Sequence, residues 1–447
     1  MMTDIPPGPT THPARLLWQW IRRPLEMLEE SHAAYGDIFS VRMAMLPGPF
    51  VIVADPLAVK EVFAFGPEQA HAGTANVVLK PFLGENSMLL LDGASHSRHR
   101  RMILPAFHGD RINAYGRTMI DMTEASLEEW PRGRAFPVHR PMQSITLQVI
   151  LRTVFGVGAG PIFQDFARLL AEILDVLAWP GLLFPVLQRD LGPVTPWAKW
   201  LRLRERATRL LRDEIHRAQA ADRSGRSDVL AMLIDARDER GEGLTEDELH
   251  DELVTLLVAG HETTATALAW ALRFILVDPQ LLADLREEID GAGGDPGRIA
   301  RLELLDATAR EALRLQPVIP LVGRELQEPT TVCGWRLPRG TVVAPSIALV
   351  HRRPSLYPDP LRFSPRRFFD FKPAPWEFLP FGGGMRRCVG AAFAIHEMKM
   401  VLATILSRVD LRLARSDTHV VRRSITLTPS DGLPVIASDR HARVRAA

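Results

Sequence analysis

Apolar residues recur at spacings of three and four from about residue 95 to residue 320, the period of helices that bury one face. Runs with strand character are short: Phe50–Val53, Val332–Leu337, Thr341–Val343 and Ile425–Leu427. The pattern predicts a mainly α chain with small β-sheets. One helix is marked at both ends. Thr245 and Glu248 form a Thr-x-x-Glu capping box, with Leu244 and Leu249 at the staple positions. The pattern continues to Asp278-Pro279, where proline ends it. That makes a helix of about 30 residues, roughly 45 Å long. Asp278 then caps a second helix, which Gly291 to Gly294 should end, and a third runs from about Leu302 to Gln316.

The middle of the long helix breaks local rules. Gly260, His261, Glu262, Thr263 and Thr264 interrupt an otherwise apolar run. Glycine costs about 1 kcal/mol there relative to alanine. A threonine hydroxyl can bond back to the carbonyl one turn earlier and bend the helix. On this segment alone two readings stay open, a notch for a neighbouring backbone or a functional site.

Composition narrows the field. The 447 residues are 46% hydrophobic, enough for a large core. No repeat, low-complexity tract or interdomain linker divides them, so one unit over 1–447 is expected although length alone suggests about three domains. A formal net charge of +1 excludes the global basic excess of a nucleic-acid binder. Cys333 and Cys388 are the only cysteines. They exclude a disulfide framework and any multi-cysteine zinc or iron–sulfur site, and they fit the reduced thiols of a cytoplasmic protein. The apolar stretch Leu16–Ile21 is cut short by Arg22 and Arg23. It is too short to span a membrane or to serve as a secretory core. A soluble, cytoplasmic monomer without a transmembrane anchor is expected.

The most informative segment is Phe381-Gly382-Gly383-Gly384-Met385-Arg386-Arg387-Cys388-Val389-Gly390, followed by an amphipathic helix from Ala391. A cysteine at a helix N-terminus is expected to have a lowered pKa and to favour thiolate. The glycines would let backbone approach a bulky flat group, their N–H groups would tune the sulfur, and Arg386 would meet an anionic edge. A free cysteine is ordinarily a buried structural residue. Here, however, Phe-Gly-x-Gly-x-Arg-x-Cys-x-Gly fixes six positions, and its chance occurrence is far below roughly one in a thousand.

These residues resemble the haem-binding signature of the cytochrome P-450 family, and the preceding Trp376-Glu377-Phe378-Leu379-Pro380 looks like that family too. The resemblance implies that Cys388 is a thiolate ligand of the iron of haem b (heme b, iron protoporphyrin IX), with Phe381, Gly382 and Gly390 shaping the loop. Other segments agree in order and spacing from about residue 90 to 400. Glu311 and Arg314 resemble the family's Glu-x-x-Arg helix, and Arg367 in Phe363-Ser364-Pro365-Arg366-Arg367-Phe368 matches its third member. The i,i+3 spacing alone also suits an ordinary surface ion pair. Ala259 to Thr264 is similar to the oxygen-activation motif, which assigns Glu262 and Thr263 as the acid–alcohol pair that relays protons to dioxygen and Gly260 as the residue that leaves it room. His96, Arg100, Arg324 and Arg386 match positions that hold haem propionates as cationic donors.

The fold implied is the cytochrome P-450 fold, a triangular α-rich prism with a long central helix over the haem. Its α-rich core would span about 90–320 and 375–410, with β-rich edges about 40–65, 320–345 and 420–437. The activity implied is a monooxygenase that inserts one oxygen atom of O2 into a lipophilic small molecule such as a fatty acid, terpenoid or steroid. No flavin or nicotinamide module follows the cysteine helix, so electrons are expected from a ferredoxin or flavodoxin-type donor with its reductase. Arg98, Arg101, Arg387 and Lys399 are the expected basic docking face. Family substrate-contact regions fall on apolar residues: Val77, Val78, Leu79, Phe82, Leu83, then Leu177, Trp179, Leu182, Phe184, and Val318, Ile319, Ile425, Leu427. Trp179 to Trp197 looks like a mobile lid. The rival readings are a peroxygenase using H2O2, which Glu262 and Thr263 argue against, and a non-catalytic haem ligand sensor.

Overall fold

The computed structural model describes residues 5–44, 48, 50–156, 161–177, 179–184, 187–189, 192 and 194–440. Helix dominates. The long helix covers Glu246–Val277, and both halves of its capping box form: Thr245 Oγ1 accepts from the Glu248 N–H, and Glu248 Oε2 accepts from the Thr245 N–H. Asp278 ends it and caps the next helix, Pro279–Ala292, by accepting from the N–H groups of Gln280 and Leu281. Gly293, in the left-handed region, closes that helix.

The long helix runs through the main core. It packs on His139–Phe155 along one side and on Glu303–Leu315 and Ala391–Arg408 along others. Its interior face therefore carries small residues such as Ala265, Ala267 and Ala271, which let the neighbouring helices approach. Two smaller apolar clusters lie under the N-terminal helices Pro13–Arg22 and Pro24–Tyr35 and around the helix Pro56–Ala64.

The largest sheet has five strands in the order Ile38–Val41, Phe50–Val53, Val342–Pro345, Arg324–Leu326, Ala70–His71. Only the pair between Phe50–Val53 and Val342–Pro345 is parallel. A three-stranded sheet joins Ala135–Pro137, Pro434–Asp439 and Val409–Leu413.

Two strand expectations need correction. Val332–Leu337 is not one strand but the two arms of a hairpin, Thr330–Val332 and Trp335–Leu337. Cys333 and Gly334 both take positive φ there, as a tight hairpin turn requires. The strand placed at Ile425–Leu427 runs from Thr426 to Pro429 and pairs with Val420–Arg423, because Ser424, at φ 51°, puts Ile425 in the turn.

Candidate active site

Between the middle of the long helix and the Pro380–Gly390 loop lies a cavity of about 1660 Å³. It exceeds the roughly 300–1,000 Å³ of ordinary small-molecule pockets. The Cys388 sulfur opens into it. The residue is exposed and lines this space, and the thiol is surrounded by protein. Burial pushes the thiol pKa up. The Gly390 N–H, which bonds the thiol, and the charges of Arg100 and Arg387 pull the other way without prevailing. For the unligated thiol, desolvation outweighs the helix that starts at Ala391. Metal ligation deprotonates such a sulfur.

Two of the loop glycines also make room for a neighbouring helix. A Cβ on Gly383 would lie 2.4 Å from Phe63 Cδ2, and one on Gly384 2.1 Å from the Phe63 carbonyl oxygen. Gly383 and Gly384 thus admit the helix Pro56–Ala64, while Gly382 and Gly390 line the cavity. Gly382 and Gly384 take positive φ, and the Cys388 N–H donates to Phe381 O at 2.9 Å, closing the turn.

Four basic residues converge beside the sulfur. His96, Arg100, Arg324 and Arg386 all line the cavity, the first two from the helix Gly93–Ile103. Arg386 donates to Met88 O, Leu91 O and Asp92. Arg324 donates to Gly323 O, and burial lowers its pKa to about 10. Asp92 is the one acid among the charges acting on His96, Arg324 and Arg386, and it also accepts from the N–H groups of Ala72, Gly73 and Thr74. Positive charge is therefore in excess, which fits a dianionic group such as the two propionates of haem. Burial, with Arg386 and Arg100 nearby, lowers the His96 pKa to about 4, and an anion bound beside it would pull that value back up.

Across the cavity, Gly260, His261, Glu262, Thr263 and Thr264 form the opposing wall. Thr263 Oγ1 donates to Ala259 O at 2.7 Å. Glu262 Oε2 accepts from Gln143 Nε2 at 2.6 Å, and burial raises the Glu262 pKa. His139, neutral by burial, lies 3.8 Å away. His261 is buried, with its pKa lowered to about 3. A Cβ on Gly260 would meet Ile150 Cδ1 at 2.8 Å, so close approach of the helix His139–Phe155 is one reason for glycine there, alongside its place on the cavity wall.

Behind the loop, Glu311 and Arg314 are fully buried and bidentate, at 2.7 and 2.9 Å. The surface-pair alternative is excluded. Arg367 Nε adds a third contact to Glu311 at 3.0 Å, and Arg314 also donates to His351 O and Pro360 O. His351 links this cluster to the cysteine loop: its Nδ1 donates to Arg314 O, and its Nε2 accepts the Leu379 N–H at 2.7 Å.

The apolar residues divide. Val78, Leu79, Phe82, Leu83, Leu182, Phe184, Val318, Ile319 and Ile425 line the cavity. Val77 and Trp179 face outward, and Leu427 is buried in the cluster under the N-terminal helices. The Leu177 side chain and residues 185, 186, 190, 191 and 193 of the expected lid lie outside the described residues. The basic docking face is half lost. Arg98 is engaged by Asp238, Glu248 and Gly243 O, and Lys399 is buried against Asp306 and Ala300 O. Arg101 and Arg387 remain exposed. Sequence reasoning missed Asp92, Gln143 and His351. Asp92 begins the segment that carries His96 and Arg100 but had no role of its own, Gln143 and His351 belong to no motif, and only their partners give them meaning.

The sequence profile described as Cytochrome P450 matches residues 6–432. Cytochrome P450 135B1 of Mycobacterium tuberculosis is 42% identical over 409 residues, covering 91% of this chain and 85% of that protein. Cytochrome P450 138 of the same organism is 35% identical, covering 95% and 92%. Among solved structures, retinoic acid bound cyanobacterial CYP120A1 superposes with a TM-score of 0.86 at 25% identity, covering 98% of this chain and all of that one. The cytochrome P450DA heme domain gives 0.84 at 23% identity, covering 98% of each chain, a likeness of fold.

Proposed function

This chain belongs to the cytochrome P450 family and is a haem-thiolate monooxygenase, and from that premise we propose that it oxidises a lipophilic small molecule of fatty-acid, terpenoid or steroid type with electrons from a ferredoxin or flavodoxin-type partner. Haem b, when bound, supplies the iron at which dioxygen is split, one oxygen atom going to the substrate and the other to water. The observation that carries the substrate class is the single cavity shared by Cys388 and Gly260–Thr264, whose walls are largely aliphatic and aromatic. The likeness to a cyanobacterial protein bound to retinoic acid points the same way.

Cys388 would be the sulfur ligand, with the Gly390 N–H bonded to it. His96, Arg100, Arg324 and Arg386 would hold the propionates. Glu311, Arg314 and Arg367 would fix the loop through His351. Glu262, its pKa raised by burial, holds a proton on its carboxyl near neutral pH more readily than a solvated acid does. Gln143 orients that carboxyl. Thr263 spends its hydroxyl proton on Ala259 O, which leaves the oxygen free to accept and position a water. Among the described residues no single helix is long and apolar enough to cross a membrane.

Purified ferric protein titrated with fatty acids, terpenes and steroids should show a saturable low-spin to high-spin shift with at least one class. A ferredoxin-supported reaction with that class should then yield an oxygenated product. No shift with any class would sink the lipophilic reading, and a ferrous–CO spectrum lacking thiolate character in intact protein would sink the Cys388 assignment.

A further inference from the structure

One arm of the cavity carries a charge that the reaction does not explain. Arg422 lies in the strand Val420–Arg423, opposite Leu427 of the hairpin partner. Side chains alternate along a strand. Arg422 therefore shares the side of Val420, which packs on the cluster under the N-terminal helices. Arg423 takes the other side, where its charge reaches Glu262 and His139. The Arg422 guanidinium carbon sits 4.9 Å from the centre of the Trp20 ring. Leu17, Ile21, Met43, Phe50 and Ile52 line the cavity around it.

Among the described residues Arg422 has no acidic partner. Its Nε is shut off from solvent and has no hydrogen-bond partner, and among the described residues no ion pair joins it to an acid. Burial lowers its pKa only to about 10, so the group stays charged at neutral pH. An unpaired cation in an apolar setting is costly. The Trp20 face offsets part of that cost but leaves the guanidinium hydrogens unused. A planar fork with one positive charge matches a carboxylate, which takes two parallel hydrogen bonds. A phosphate dianion would require a second cation in the arm, and Arg423 points away.

We infer that Arg422 is a specificity residue that anchors the carboxylate of an amphiphilic acid, whose apolar body runs from the arm beside Trp20 along Leu321 and Ile319 toward Thr263. This rests on the monooxygenase reading of the same cavity and narrows its substrates to lipophilic acids, oxidised on carbons remote from the carboxyl group. The residue stands outside every sequence motif of the site, so its role is separable from haem binding.

The test uses ferric holoenzyme and a probe that reports through the iron regardless of the natural substrate: dodecanoic acid capped at its far end with imidazole, and the methyl ester of the same compound. Imidazole ligation gives a spectral shift, from which Kd is read. The acid should bind wild-type protein more tightly than the ester. Arg422→Gln should weaken the acid by about tenfold to a hundredfold and leave the ester unchanged within about twofold, erasing the preference. Arg422→Lys, which keeps the charge but loses the fork, should retain part of it. The thiolate-type ferrous–CO spectrum of each variant shows that it is folded and loaded. Equal affinity of acid and ester for wild type, a preference that survives in Arg422→Gln, or parallel loss of both ligands would overturn the anchor. Failure of imidazole to ligate wild-type protein would instead sink the haem reading, and this inference with it.

Discussion

Gly383 illustrates how one absent atom sets the geometry of the site. Its φ of −151° suits any residue, so the need for glycine is purely steric. An added methyl would strike the Phe63 ring at 2.4 Å. Gly383→Ala should cost about 1–3 kcal/mol in urea unfolding of the holoprotein. Adding Phe63→Ala should remove the clash, so the double variant should be more stable than the sum of the two single changes predicts. Strict additivity would show that the ring and the loop do not press on one another. The signature in the sequence marked this loop as special, but it gave no hint of Phe63 behind it. Glycines report that something is close, and which body it is depends on the fold.

At the level of elements, the decisive joint lies between the helix Gly93–Ile103 and the start of the long helix. His99 is buried between two carboxylates one turn apart, with Nδ1 2.7 Å from Glu252 and Nε2 3.2 Å from Glu248. Burial opposes the charged imidazole, yet the carboxylates prevail and its pKa is raised. Arg98 adds contacts to Glu248 and Asp238. The same short helix presents His96 and Arg100 to the cavity. Glu252→Gln breaks a buried charged pair and should cost on the order of 3 kcal/mol. It should also speed the transfer of haem to apomyoglobin, whereas an unchanged transfer rate would mean that the joint is irrelevant to cofactor retention. The long helix was legible in the sequence because its caps are local: Thr245, Glu248 and Asp278 act within a few residues of themselves. The signature cysteine, the Glu-x-x-Arg pair and the acid–alcohol pair were legible because each is a short pattern. The His99 clamp, the Gln143 bond to Glu262 and the Cys333 hairpin were not. The first two join residues more than a hundred positions apart, and the hairpin hides a turn inside an apparently continuous β-like run.

For the molecule as a whole, buried neutral histidines couple stability to pH. His351 holds the cysteine loop to the Glu311–Arg314 cluster only while neutral, since its Nε2 must accept from Leu379. Its pKa falls from 6.5 to about 3 on folding, through burial and then the charge of Arg314. A depressed folded value contributes stability that is complete above about 6.5 and is lost as pH falls toward 3. The loss approaches about 1.4 kcal/mol per pH unit for one such group. Buried acids such as Glu262, with raised values, push the other way, so the informative quantity is a difference. His351→Gln should be less stable than wild type at neutral pH, and the gap should narrow as pH drops below about 6.5. A gap constant from pH 7 to 4 would refute a neutral, loop-bearing His351. The bond from Arg386 to Met88 has a consequence of another kind. It joins residues 298 positions apart, and closing so long a loop is entropically expensive until the intervening helices have condensed. As the chain leaves the ribosome, the helix carrying His96 and Arg100 waits for nearly three hundred residues before the cysteine loop exists to face it. Cofactor capture therefore belongs to the last stage of folding, after synthesis has passed residue 388.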